Sequence, residues 1–188
     1  MVTRFHVRTA TAVLAAFLVA AGLGAPAEAE RRGPAGGPSQ AMFEGAVIDL
    51  VEGWGQAGAC AELGVRVECF RTEAQLLAAH PELGAAVGIS AYTEAVAASA
   101  CSSSLRLYRT SGYTGGALYL TTRSVVHNLS SFGFDNDTSS YRVGACASAF
   151  YSGANLSGSQ YPGSTVAYAS ASSMVGGWDN VVSSVIIF

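Results

Sequence analysis

Hydrophobic and polar residues alternate in short runs along the second half of the chain. Regular spacing of such runs between Gly-, Ser- and Asn-rich turns is typical of an all-β sandwich. The pattern predicts strands over 105–108, 116–120, 140–143, 147–151 and 181–188. It also predicts a core that contains Tyr108, Leu118, Leu120, Phe134, Phe150, Tyr168, Trp178 and Ile186.

The first half of the chain has a different pattern. Apolar residues at 43, 46, 47, 50, 51 and 54 have the spacing of an amphipathic helix over 42–54. Residues 65–70 alternate as a strand does. Thr72 to Gln75 form a capping-box sequence, which predicts a short helix that ends before Pro81. Residues 84–100 are alanine-rich and ambiguous, and we interpret 42–100 as a small α+β appendage.

A six-residue pattern, D-N-x-x-S-S, occurs twice in the second half, at 135–140 and at 179–184. An aromatic residue precedes each copy, Phe134 in the first and Trp178 in the second. Upstream, the hairpin sequence at 108–115 matches the one at 151–158, 43 residues later. The sequence therefore predicts one domain, 101–188, made of two units, 101–144 and 145–188.

This combination resembles the βγ-crystallin Greek-key domain, which joins an aromatic hairpin, Y/F-x-x-x-x-F/Y-x-G, to a clamp, N/D-N/D-x-x-S/T-S. The first unit fits the pattern at every position, and the second has Leu156 where an aromatic residue is usual. The resemblance covers 101–188 and implies a mainly β sandwich of two Greek-key motifs.

The whole arrangement, with its alanine-rich N-terminal part, is also similar to secreted actinobacterial proteins grouped with the I36 peptidase-inhibitor family. That resemblance implies a secreted binding protein that inhibits a metalloprotease. The segments 156–163 and 172–177 are rich in turn-forming residues and are the candidate inhibitory loops.

The repeated clamps offer oxygen ligands, which suit a hard cation such as Ca²⁺. The resemblance implies two calcium sites, each shared between the units, with hairpin carbonyls contributed near Thr110 and Gly153. The ligands it implies in the clamps are Asp135, Asn136, Asp137, Ser139, Asp179, Asn180, Val181 and Ser183. The alternative is a pair of turns without metal, because Asp, Asn and Ser side chains also bond to the backbone of turns.

The N-terminal segment 1–29 has the features of a secretory signal peptide. Arg4 and Arg8 precede an apolar run over 10–24, and Ala27 and Ala29 form an A-x-A cleavage site. A membrane anchor is the alternative, but the run is shorter than the roughly 20 residues that a spanning helix needs. We therefore expect a secreted protein without a membrane contact after cleavage, and a flexible leader over 30–41.

Four cysteines in an exported chain predict two disulfides. Four cysteines allow three pairings. We favour Cys60–Cys69, which closes a short turn, and Cys101–Cys146, whose cysteines each precede the first strand of a unit. The chain has no Cys-x-x-Cys pair, which argues against a zinc site.

Charge and composition argue against two classes of function, nucleic-acid binding and catalysis. A net charge of −3 without any lysine gives no electrostatic footprint for nucleic acid. No nucleophile–base set emerges from the sequence, so we expect a monomeric binding protein with a secreted protease as partner, not an enzyme. The alternatives are a calcium-stabilised structural protein of the cell surface or spore coat, or a carbohydrate- or wall-binding module. The last would need exposed aromatic residues, for which the candidates are Tyr113, Tyr119, Tyr151, Tyr161 and Tyr168.

Overall fold

Strands dominate the computed structural model, which describes residues 39–84 and 104–188. The predicted signal peptide, most of the leader and the segment 85–103 lie outside the described residues. Within these described residues, the α-helix α1 covers Glu73–Ala79, and short 3₁₀ turns cover Pro81–Leu83, Leu129–Phe132 and Ala154–Leu156. The strands are β1 Gln40–Phe43, β2 Ala46–Asp49, β3 Ala59–Leu63, β4 Arg66–Phe70, β5 Leu105–Thr110, β6 Thr114–Leu120, β7 Val126–Asn128, β8 Ser140–Arg142, β9 Ser148–Tyr151, β10 Ser170–Ala171 and β11 Ser184–Ile187.

Two sheets pack around a shared core. The first has the order β10-β8-β5-β6-β3-β4-β1-β2, and the second has the order β7-β11-β9. The two units exchange their third strands between the sheets: β7 of the first unit pairs with β11, and β10 of the second unit pairs with β8. The strand topology therefore confirms the predicted mainly β sandwich of two Greek-key units, and neither unit can complete its sheet alone.

The first four strands extend the first sheet beyond β6. β3 pairs with β6 in parallel, and β1 pairs with β4 in parallel. The helix predicted over 42–54 is wrong, because β1 and β2 form an antiparallel hairpin there. Glu44 and Gly45 sit at the turn with φ of 49° and 82°, which is the backbone of a two-residue hairpin loop. Pairing with β4 overrides the helical spacing of the apolar residues.

The hairpin of β3 and β4 carries the first predicted disulfide. Cys60 and Cys69 lie directly opposite each other and are bonded, with 4.0 Å between their Cα atoms. This pairing is as predicted. The second predicted pairing, Cys101–Cys146, involves a residue outside the described part of the chain and stays a prediction.

Five of the predicted core residues are buried: Tyr108, Leu118, Leu120, Phe134 and Phe150. Tyr168 is an error of the prediction, because 58% of it is exposed. Its φ of 62° places it in a left-handed turn before β10, so the strand alternation does not extend to it. Trp178 and Ile186 are partly buried, while Val185 and Ile187 on either side of Ile186 are buried.

The predicted helix start is confirmed, with Thr72 as the N-cap of α1. The Thr72 hydroxyl accepts a hydrogen bond from the Gln75 backbone N–H at 3.2 Å. Glu73, in the first turn, accepts hydrogen bonds from the hydroxyls of Tyr108, at 2.9 Å, and of Tyr119. These bonds fasten α1 to β5 and β6, and β5 carries the first repeated hairpin.

Burial, reinforced by the Glu73 carboxylate, raises the pKa of Tyr108 to about 12 and also raises that of Tyr119. An unfolded tyrosine ionises near pH 10, so the raised pKa of Tyr108 contributes stability that is complete below pH 10 and is lost toward pH 12. Between those limits we expect the wild-type protein to lose about 2 kcal/mol more stability than Tyr108→Phe. Denaturant unfolding at pH 9, 10, 11 and 12 measures the difference. Parallel pH profiles for the two proteins would contradict the assignment.

Candidate metal centre

The two clamps are turns that lead into equivalent strands. Residues 135–140 precede and enter β8, and residues 179–184 precede and enter β11. Asn136 and Asn180, at the second position of each clamp, have φ of 52° and 55°. Asparagine tolerates this left-handed conformation better than most residues. Both clamps therefore share one backbone shape.

Each clamp bonds to the other through its backbone. The Asn136 N–H donates to the Val182 carbonyl at 3.0 Å, and the Asn180 N–H donates to the Thr138 carbonyl at 3.1 Å. These bonds are reciprocal, because each joins the second position of one clamp to the fourth position of the other. The two clamps, which repeat in the sequence, are therefore related by a local pseudo-twofold arrangement in the structure.

The side chains of the clamps also cross from one unit to the other. The Ser139 hydroxyl donates to Asn180 Oδ1 at 3.2 Å, and the Ser183 hydroxyl donates to Asn136 Oδ1 at 3.2 Å. We call these contacts the Ser139 cross-pair and the Ser183 cross-pair. Each brings together two oxygen atoms from different units, as the family resemblance implies for a shared site.

The last serine of each clamp joins the clamp to its own hairpin, and we call Ser140 and Ser184 the latch serines. Ser140 Oγ donates to the Thr110 carbonyl at 2.7 Å and accepts from the Tyr113 N–H at 3.1 Å. Ser184 Oγ does the same with Gly153, at 2.6 Å, and Leu156, at 2.9 Å. Both latch serines are fully buried.

The hairpins are shaped to receive these contacts. Tyr113 and Leu156 occupy equivalent positions and have φ of 63° and 59°. Leu156 therefore keeps the backbone conformation of the aromatic residue that it replaces. The departure of the second unit from the family pattern does not alter the hairpin backbone at this position.

The donor set fits a calcium ion. Calcium binds oxygen ligands at about 2.3–2.6 Å, so two ligands at right angles lie roughly 3.4 Å apart. The two oxygens of each cross-pair are 3.2 Å apart, which is close to the spacing of adjacent ligands around one ion. Within the described residues, no cluster of three or more His, Cys, Asp or Glu side chains could hold a metal ion. The candidate ligands are instead amide, hydroxyl and carbonyl oxygens.

Two of the other implied ligands are exposed next to the cross-pairs, and one is engaged elsewhere. Asp135 and Asp179 are exposed, whereas the Asp137 carboxylate forms an ion pair with Arg109. This pair leaves the Asp137 backbone carbonyl, like that of Val181, as the ligand that the resemblance implies. Coordination by these residues stays a prediction.

Sequence reasoning missed the surroundings of Arg109 and the role of the latch serines. Burial lowers the pKa of Arg109, whose guanidinium contacts the rings of both Trp54 and Phe134, and these rings also pack against each other. No local pattern links Trp54 to a clamp 80 residues later. The latch serines did have a signal, since the sixth position of the clamp is serine in both copies.

Solved βγ-crystallin structures are similar to part of this chain. A βγ-crystallin domain from Flavobacterium johnsoniae shares 27% identity over 45% of this chain and 92% of its own, with a TM-score of 0.38. The N-terminal domain of Protein S shares 22% identity over 45% and 94%, with a TM-score of 0.37. A βγ-crystallin from Ciona intestinalis shares 22% identity over 45% and 99%, with a TM-score of 0.39.

No protein-family model matches the chain, and no curated protein matches it significantly. The TM-scores of the solved structures are all below 0.5. The function proposed below therefore rests on the geometry of the clamps themselves.

The latch serines should stabilise the fold without any metal. Ser140→Ala or Ser184→Ala leaves a hairpin carbonyl and an N–H without the hydroxyl that bridges them, which costs about 1–3 kcal/mol. Urea unfolding in EDTA should show this loss in each variant. Ser130→Ala, at an exposed position, is the matched control and should change stability by less than about 0.5 kcal/mol. A Ser184→Ala protein as stable as wild type would rule out the latch role.

Proposed function

We propose that this protein is a secreted, non-catalytic binding module in which calcium ions join the two Greek-key units. The observation that carries the proposal is the reciprocal pair of cross-pairs, in which each unit supplies one oxygen to a site completed by the other. A turn that is stabilised only by its own side chains requires no reciprocal contacts with the other unit. An ion shared between the units requires ligands from both units.

The residues that would hold the ions are those of the two cross-pairs, with the third-position carbonyls and hairpin carbonyls around them. Bound calcium would supply a positive charge that attracts oxygens of both units at once. Each clamp adds few formal charges, and one of them, Asp137, is already paired with Arg109. We therefore expect affinity in the roughly micromolar to millimolar range of sensor and extracellular sites.

Inhibition of a secreted metalloprotease is the second function that we propose. Four consecutive residues of the loop 156–163, Ser157 to Gln160, are exposed. The loop is nevertheless held at both ends. The Leu156 N–H donates to latch serine Ser184 at 2.9 Å, and the Tyr161 N–H donates to the Phe150 carbonyl at 2.9 Å. A loop that is exposed and already ordered loses little entropy on binding, which favours an inhibitor.

The aromatic residues give little support to the carbohydrate-binding alternative. Tyr119 and Tyr161 are buried, and Tyr113 and Tyr151 are partly buried. Tyr168 is the exposed member of the five candidates. A calcium-stabilised structural role requires no exposed loop. This is the role that we propose if no protease inhibition is measured.

Calcium should raise the melting temperature of the purified protein. At 100 times its dissociation constant, a ligand adds about 2.7 kcal/mol to the stability of the folded state. For a protein of this size that is a shift of roughly 5–10 °C. Magnesium should do much less, because it requires a smaller and more regular shell. Scanning calorimetry in EDTA, in calcium and in magnesium measures the three states.

The control for this experiment removes one hydroxyl from each cross-pair. Ser139→Ala with Ser183→Ala should abolish the calcium shift. Both serines are buried and hydrogen-bonded, so the variant should also melt at a lower temperature in EDTA. The quantity compared is therefore the difference between calcium and EDTA within each protein. Identical wild-type curves in EDTA and in millimolar calcium would refute the proposal.

Titration of a thermolysin-like metalloprotease with the protein tests the second function. We expect stoichiometric loss of metalloprotease activity and no loss for a subtilisin-like serine protease. Inhibition should weaken in EDTA-treated protein, with the chelator removed before the assay, because the clamps order the base of the loop 156–163. No inhibition of either enzyme at tens of micromolar would favour the structural role, and cleavage within the loop would identify a substrate.

A further inference from the structure

Arg109 carries a positive charge fixed beside the first clamp. Its guanidinium carbon lies 4.6 Å from the centre of the Trp54 ring and 4.6 Å from that of Phe134. Its Nη2 donates to the Gly133 carbonyl at 2.9 Å, and Nη1 faces the Asp137 carboxylate. Contacts on so many sides leave the guanidinium little freedom to move.

The fold makes room for this side chain. The register of β5 and β6 shifts next to Arg109, where Gly115 and Gly116 bulge out of the ladder. A Cβ added at Gly116 would come within 2.9 Å of Arg109 Cδ. A Cβ at Gly133 would collide with the Leu50 carbonyl, which belongs to the segment that carries Trp54. Both glycines therefore allow the close approach that positions the guanidinium.

The second clamp has no counterpart of this arrangement. Ser152 occupies the position equivalent to Arg109, and Val181 occupies the position equivalent to Asp137. Trp178, which replaces Phe134, packs edge-on against Tyr161 with 5.3 Å between the ring centres. The two clamps thus share their hydrogen bonds but differ in charge.

We infer that Arg109 is an affinity-setting residue: it neutralises Asp137 and thereby keeps the calcium affinity of the first clamp below the value that its carboxylates would give. The inference rests on the proposed calcium binding. Arg109 touches no cross-pair oxygen in the structure, so it acts through the local charge. Because Trp54 contacts the guanidinium, the segment that follows the β1–β2 hairpin helps to position that charge.

The charges predict opposite effects for the two single variants. Arg109→Met leaves the Asp137 carboxylate unpaired, and Asp137→Asn leaves the guanidinium unpaired. A unit charge about 8 Å from a divalent ion, in surroundings close to water, changes the affinity of that ion about fivefold. We expect calcium affinity to rise about fivefold in R109M, to fall about fivefold in D137N, and to return near wild type in the double variant.

The experiment is calorimetric titration of the purified protein with calcium chloride at low ionic strength. Arg109→Lys keeps the charge and should bind as wild type does. Arg66→Met is the matched control for net charge, because Arg66 pairs with Glu68 on β4 and contacts neither clamp. Repeating the titrations in 0.5 M potassium chloride should shrink the gain in R109M, since salt screens charge. If R109M fails to fold, D137N carries the test, because it leaves the contacts of Arg109 with Trp54 and Phe134 in place.

The outcomes separate this inference from the proposed function. Wild-type binding that is lost in Ser139→Ala/Ser183→Ala but is unchanged in R109M and D137N would overturn the role of Arg109 alone. Weaker binding in R109M would overturn it too, because Arg109 would then support the shape of the clamp. Wild-type protein without clamp-dependent calcium binding would overturn both proposals.

Discussion

The hydrogen bonds that cross between the two clamps are the interaction on which the rest of the structure depends. Asn136 and Asn180 each send a backbone N–H to the opposite clamp, and each side-chain amide receives a serine hydroxyl from it. Ser139 and Ser183 are buried, and a buried polar group without a partner costs about as much as a lost hydrogen bond. The partners of these two hydroxyls lie in the other unit, so the units stabilise each other.

The exchange of the third strands has the same consequence at the level of the sheets. β7 and β10 each complete the sheet of the other unit, and the clamps lie where the chain enters β8 and β11. The latch serines then join each clamp to its hairpin. An interaction that holds the two clamps together therefore stabilises both sheets and the base of the exposed loop 156–163. Through this linkage, an ion bound at the clamps would stabilise both sheets and the base of the loop.

The N-terminal strands break the symmetry of the repeat. They extend only the first sheet, and the segment from Leu50 to Trp54 packs beside the first clamp, where the Trp54 Nε1–H donates to the Phe132 carbonyl at 2.6 Å. A guanidinium in contact with two aromatic rings gains from their quadrupoles, which offsets part of the cost of burying its charge. The first clamp therefore has an ion pair between Asp137 and Arg109, whereas Val181 and Ser152 occupy the equivalent positions at the second clamp.

The sequence by itself determined the repeated half of this protein. The alternation placed β5, β6, β8, β9 and β11, and the two D-N-x-x-S-S clamps located the candidate site, because these signals depend on residues close together in the chain. The capping box at Thr72 and the Cys60–Cys69 bridge were equally local.

Tertiary structure decided the remainder. The apolar residues of 42–54 have helical spacing, yet they form a hairpin because β4 offers an edge to pair with. The short strands β7 and β10 have no pattern of their own and exist through pairing with the opposite unit. The cluster of Trp54, Arg109 and Phe134 joins residues that only the folded sheet brings together, and cation–π contacts leave no spacing in a sequence from which to infer them.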